Sequence, residues 1–226
     1  MELSSILFDL DGTLVDTLPG IDYSCRAAVQ AVLPNRKLEN LRQRMGPPIR
    51  EIFRQAFSSV EPIVLNQLEA QFRANYDTVG WQKSIAYPSV AETLAQLNDW
   101  HINCFVVTNK PSVPTERILS HLGLSKYIKE VTAPDSSSGT FSSKASAIKY
   151  LLSKYQLASE HTVVVGDSAD DARAAQACHL RFVAVSYGYS ASTNEWLGNG
   201  EHAQVISEFS QVLKYVIDES SPISKL

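Results

Sequence analysis

The chain has 226 residues, 20 lysines and arginines against 24 aspartates and glutamates, a net charge of −4, and 44% apolar residues. With 19% charged residues and glycine and proline at 10 positions each, it is neither disordered nor collagen-like, and it is long enough for one ample core or a core with a smaller inserted domain. It contains no lysine–arginine block and no apolar run near the roughly 18 residues of a membrane helix, so neither a nucleic-acid polymer nor a membrane is expected as a partner.

The first apolar run predicts a strand at Ile6–Asp9. From Thr17 to about Trp81 the pattern is helical only, over Pro19–Leu33, Pro48–Phe57 and Pro62–Tyr76. Each of these segments opens on a proline, which a first helical turn tolerates. Beyond this stretch strands and helices alternate, the rhythm of a parallel sheet. Val90–Leu97 predicts a helix with Val90, Leu94 and Leu97 on one face, followed by a strand at Asn103–Thr108, a helix at Pro114–Leu122 and a strand at Ile128–Thr132. The serine-rich stretch Asp135–Ser143 reads as a polar loop. A helix at Lys144–Tyr155, a strand at Thr162–Gly166, a helix at Ala169–Cys178 and a strand at Phe182–Val185 come next. A short edge strand near Ala203–Ile206 and a helix at Phe209–Ile217 complete the series. The fold class is α/β: a Rossmann-like doubly wound parallel sheet from residues 1–16 and 84–226, with an α-helical domain, residues 17–83, inserted after the first strand.

The chemistry-bearing residues fall at strand ends. Asp9 and Asp11 close the first strand ahead of a Gly-Thr turn. Asp-Gly is a common turn pair, yet two carboxylates crowded at a sheet edge repel one another, and ligands of open α/β sheets bind where strands end. A second cluster, Asp167, Asp170 and Asp171, follows Val163–Gly166. One of the last two is accounted for by the positive end of a helix, but Asp167 is not. So many carboxylates at one edge call for a cation, and all-oxygen ligands favour Mg²⁺ over Ca²⁺ or Zn²⁺.

These residues, in this order, resemble the haloacid dehalogenase superfamily, in its phosphoglycolate phosphatase-like branch with a helical cap. Asp9-Leu-Asp11-Gly-Thr-Leu-Val-Asp16 is similar to the first motif, Val107-Thr108-Asn109 to the second, Lys144 to the third and Gly166-Asp167-Ser-Ala-Asp-Asp171 to the fourth. The resemblance implies that Asp9 is the nucleophile that forms an aspartyl-phosphate, and that Asp11 is the general acid and base. By the same resemblance Thr108 and the Asn109 amide would hold phosphoryl oxygens, and Lys144 would neutralise charge on phosphate and nucleophile. The resemblance also implies that Asp9, the main-chain carbonyl of Asp11 and Asp167 would hold Mg²⁺, with Asp171 acting through water or by orienting Lys144. Many relatives carry Lys-Pro at the third motif, where this chain has Ser143-Lys144-Ala145. The cap of this branch selects the leaving group, which makes Arg50, in Gly46-Pro-Pro-Ile-Arg50, a candidate for an anionic substrate group. Arg42, Gln43, Arg44 and Tyr23 are weaker candidates, and Trp81, Trp100, His101 and His179 read as packing or surface residues.

The expected function is Mg²⁺-dependent hydrolysis of a small phosphorylated metabolite: phosphoglycolate, a sugar phosphate or a nucleotide. A phosphomutase of the β-phosphoglucomutase type uses the same motifs and stands as the alternative, and a non-catalytic binding module on the same fold is a third reading. The protein is expected to act as a monomer or homodimer. Cys25, Cys104 and Cys178 have no metal-type spacing and fit a reducing, cytoplasmic setting, and no secretory signal is expected at Met1–Phe8, which has neither a basic nor a long apolar region. Ser224-Lys225-Leu226 spells a peroxisomal address, meaningful only in a eukaryote.

Overall fold

The computed structural model describes residues 3–137, 139–190 and 204–214. In chain order the strands and helices are β1 (Ser5–Phe8), β2 (Val15–Asp16), α1 (Leu18–Val32), α2 (Ile49–Ala56), α3 (Pro62–Tyr76), β3 (Ile85–Ala86), α4 (Val90–Asp99), β4 (Asn103–Val107), α5 (Ser112–His121), β5 (Glu130–Thr132), β6 (Asp135–Ser136), β7 (Gly139–Thr140), α6 (Lys144–Tyr155), β8 (Thr162–Gly166), α7 (Ala169–Ala177), β9 (Arg181–Val185) and β10 (Gln204–Ile206). The chain divides into two compact units, Met1–Val15 with Ala86–Leu226, and Asp16–Ile85, so the division falls within β2 and β3.

The larger unit is built on a six-stranded sheet in the order β10-β9-β8-β1-β4-β5, every pairing parallel. Both faces of a parallel sheet are covered, which is why its central strands read as unbroken apolar runs. Side chains alternate between those faces. Leu7, Phe105, Val107, Val164, Phe182 and Ala184 form one core with Ala147, Ile148 and Leu151 of α6 and Ala174 and Ala175 of α7. The alternate residues Ile6, Phe8, Val106, Val163, Val165 and Val183 are equally buried, and the Phe8 ring lies 5.5 Å from that of Phe209. Strand order reverses at β1, flanked by β4 on one side and β8 on the other. The crevice of such a sheet opens at this reversal, outside the carboxyl ends of the strands.

The smaller unit consists of α1, α2 and α3 around Ile21, Cys25, Val29, Phe53, Leu68, Phe72 and Tyr76. The start of α1 packs backbone to backbone on the 3₁₀ turn Gly80–Lys83: a Cβ at Gly20 would lie 2.1 Å from the Gly80 carbonyl oxygen. Pro62 occupies the first turn of α3, whereas Pro48 caps α2, which begins at Ile49.

Besides the two-residue strands β2 and β3, which the sequence did not indicate, three elements depart from the sequence expectation. Helix α5 begins at Ser112, ahead of Pro114, because a proline in the first turn forfeits no intrahelical hydrogen bond. The serine-rich loop contains a small antiparallel pair, with Asp135 opposite Thr140 and Ser136 opposite Gly139. Phe209–Gln211 forms a 3₁₀ turn at the start of the last expected helix. The end of that helix, Ala203 at the start of the edge strand, and Ser224–Leu226 lie outside the described residues.

Candidate active site

The carboxyl ends of β1, β4 and β8, together with the first residue of α6, bring the expected residues together within the larger unit. Asp9 follows β1 and donates its backbone N–H to the Val165 carbonyl at 2.9 Å, locking it level with the end of β8. The next residues fold into a tight turn in which the N–H groups of Leu14 and Val15 both donate to Leu10 O at 3.0 Å. Gly12 takes φ +90 there, and a Cβ at this position would lie 2.3 Å from an Asp167 carboxylate oxygen. Glycine is therefore required twice over, by its conformation and by the approach of the turn to β8. The Tyr187 hydroxyl donates to Thr13 O at 2.9 Å and steadies the same turn.

Lys144 is the first residue of α6, and its buried ammonium donates to Asp9 Oδ1 at 2.6 Å and Asp171 Oδ1 at 2.5 Å. Ser143 caps α6 through a reciprocal capping box with Ser146. That box supplies the helix-start signal that proline gives elsewhere, so the absent Lys-Pro pair does not displace the lysine. A second capping box opens α7: Ser168 accepts from the Asp171 N–H, while Asp171 Oδ2 accepts from the Ser168 N–H at 3.1 Å and its hydroxyl at 2.6 Å. Asp171 thus fixes the start of α7 with one carboxylate oxygen and the Lys144 ammonium with the other.

Asp167 follows β8 and accepts the Tyr189 N–H at 2.6 Å. Carboxylate oxygens of Asp9, Asp167 and Asp171 lie within 4.8 Å of one another. Burial, reinforced by Asp171, Asp167 and Asp11 and opposed by Lys144, pushes the Asp9 carboxyl well above its ordinary value. Burial and the Asp171 charge likewise push Asp167 up to about 6. Burial works against the Lys144 ammonium, but the Asp171 and Asp9 carboxylates outweigh it and push its value upward. The donor set is all oxygen, buried and crowded with like charge, so it fits a hard divalent cation on chemical grounds. Among these carboxylates Asp171 is already engaged by Lys144 and Ser168, which leaves Asp9 and Asp167 as the side chains better placed to share an ion.

Thr108 follows β4, and its hydroxyl accepts the Lys110 N–H at 3.1 Å. The Asn109 side-chain amide donates to Asp170 Oδ2 at 2.9 Å, tying the β4 loop to the first turn of α7. Lys110 is a member of the constellation that the sequence did not reveal: its ammonium lies 2.9 Å from Asp11 Oδ1, and its side chain is only 8% exposed. Its position one residue beyond the second motif was the available signal, but an isolated lysine after a strand reads as solvated.

Arg50 lies in the smaller unit on α2, where its guanidinium donates to Asn66 Oδ1 at 2.7 Å and Glu69 Oε2 at 3.3 Å of α3. Arg44 donates to Glu39 O, and Tyr23 lies under the Lys83 ammonium, 4.6 Å from the ring centre. Gln43 forms part of the 3₁₀ turn Leu41–Arg44, as does Arg42. Trp81 packs against the core of the smaller unit. His101 and His179 take left-handed backbone conformations beyond the ends of α4 and α7, as turn residues do. No helix among the described residues is long and apolar enough to cross a membrane.

A family model described as haloacid dehalogenase-like hydrolase matches residues 6–185. A phosphoglycolate phosphatase of Photobacterium profundum is 33% identical over 222 residues, covering 93% of this chain and 94% of the relative. The tyrosine-protein kinase PtkA of Mycobacterium tuberculosis is 32% identical over 190 residues, 81% of this chain and 62% of its own length. Among solved structures, a predicted phosphoglycolate phosphatase from Haemophilus somnus superposes with a TM-score of 0.83 at 26% identity, covering 95% of this chain and 98% of its own.

Proposed function

The chain belongs to the haloacid dehalogenase-like hydrolase family and is a phosphatase, and from that premise we propose that it hydrolyses a small phosphorylated metabolite of the phosphoglycolate kind through an aspartyl-phosphate formed on Asp9. One observation carries this reading: the two carboxylates of the first loop are held by different lysines. Asp9 is clasped by Lys144, and Asp11 by Lys110. Two carboxylates in distinct settings serve distinct roles, one as nucleophile and the other as proton carrier.

In this reading an Asp9 oxygen attacks phosphorus in line and the ester oxygen departs with its electron pair. Asp11 gives that oxygen a proton, then takes one from the water that attacks the aspartyl-phosphate, releasing phosphate and restoring Asp9. Lys144 offsets part of the burial penalty on the Asp9 carboxylate and aims it, and Asp171, through its own bond to the ammonium, orients Lys144. The Thr108 hydroxyl and the Asn109 amide bind phosphoryl oxygens. Asp9, the main-chain carbonyl of Asp11 and Asp167 would hold Mg²⁺, which when bound neutralises phosphoryl charge that would otherwise repel an anionic nucleophile.

The test is release of inorganic phosphate from a panel of phosphomonoesters that includes 2-phosphoglycolate, with Mg²⁺ and with EDTA. Turnover should require the cation, and Asp9→Asn should lower it by at least about 1,000-fold. A chain that hydrolyses no phosphomonoester sinks the proposal, and isomer formation in place of phosphate release redirects it to a mutase.

A further inference from the structure

We propose that Lys110 is a specificity-determining residue: its ammonium recognises a carboxylate on the leaving group, which restricts good substrates to phosphate esters of small 2-hydroxy acids. This rests on the reading of Asp11 as the group that meets the leaving oxygen.

Three observations place the ammonium on the leaving-group side. It lies 2.9 Å from Asp11 Oδ1, so whatever is bonded to the oxygen that Asp11 protonates comes close to Lys110. Lys144, by contrast, is held by Asp9 and Asp171 rather than by Asp11. The Lys110 side chain is also almost buried, and its backbone N–H is anchored to the Thr108 hydroxyl, so the cation is fixed rather than sweeping through solvent.

Elementary geometry then sets the length of the leaving group. From the ammonium to the near Asp11 oxygen is 2.9 Å, across the carboxylate is about 2.2 Å, and a hydrogen bond to the ester oxygen adds about 2.7 Å. A carboxylate one carbon from the ester oxygen places its own oxygens roughly 3 Å from that atom, and where it folds back beside Asp11 one of them can come within hydrogen-bonding reach of Lys110. An ammonium has three donors in a tetrahedral arrangement, so one lysine can serve Asp11 and a substrate carboxylate together. A sugar or a nucleoside offers only hydroxyl groups at the same place. Those gain much less from a nearly buried cation than a carboxylate does, because charge-assisted hydrogen bonds in a poorly solvated setting are the strong ones.

The experiment compares kcat/KM for 2-phosphoglycolate and 2-hydroxyethyl phosphate, whose leaving groups have the same length and differ only in a carboxylate against a hydroxymethyl group. The wild-type protein should favour the carboxylate ester by at least about 30-fold. In Lys110→Met that ratio should fall to within a few-fold of one, and in Lys110→Arg, which keeps a cation, most of it should remain. A wild-type ratio near one overturns the proposal without any variant. An equal loss on both esters in Lys110→Met also overturns it and leaves Lys110 as a residue that merely positions Asp11. If neither these esters nor p-nitrophenyl phosphate is hydrolysed with Mg²⁺, the phosphatase mechanism itself fails and takes this inference with it. Turnover of p-nitrophenyl phosphate with no preference between the two alkyl esters leaves the mechanism standing and rejects Lys110 as the selector.

Discussion

Asp9 and Asp167 are placed where ionisation opposes folding. Burial and neighbouring carboxylates raise both, Asp167 to about 6 from an ordinary 3.8. Between those two pH values the unfolded chain has released the Asp167 proton while the folded chain still holds it. Stability from this residue therefore falls as pH rises through the window, then levels off above about 6 at a cost of about 3 kcal/mol. Asp9 acts in the same direction. A divalent cation bound between them reverses the penalty in the range where both are ionised. The rise in Tm on adding Mg²⁺ should accordingly be larger at pH 7.5 than at pH 5, by about 4 °C or more, in paired thermal melts. An equal shift at the two pH values would place the cation elsewhere.

At the scale of elements, the smaller unit depends on the seat of α1 against the Gly80 turn. Alanine is the better helix former by about 1 kcal/mol, so propensity alone favours Gly20→Ala. The Cβ, however, would meet a backbone carbonyl at 2.1 Å, and backbone cannot step aside as a flexible side chain can. The variant should lose about 1–3 kcal/mol in urea unfolding, and an unchanged or raised midpoint would show that the seat has slack. The main elements were legible because they carry their own signals: apolar runs for β1, β4 and β8, and helical periodicity for α6 and α7. Pairs such as β6 and β7, two residues each, were not, since strands so short have no period to read. The same contrast holds in the site. Asp9, Asp11 and Asp167 show themselves because like charges crowd at strand ends. Lys110 is defined by a carboxylate 99 positions away. Such distant contacts exist only once the sheet has formed.

For the whole molecule, the acidic balance is local. Setting aside Asp9, Asp11, Asp167 and Asp171 leaves 20 acidic residues against 20 basic ones. The surplus thus has the size of the acidic cluster at the candidate site, and the remaining charges balance. The division into two units has a further consequence through the cysteines. Cys25 is buried in the smaller unit, and Cys104 and Cys178 in the larger. Burial pushes all three thiols upward, Cys104 to about 12, and only the thiolate reacts with an alkylating reagent. The protein therefore carries a built-in reporter of local opening in each unit. With iodoacetamide and peptide mapping across a urea series, Cys25 should become labelled at lower denaturant than the other two, because the smaller core has less apolar surface to lose. Coincident labelling of all three would show that the two units unfold as one.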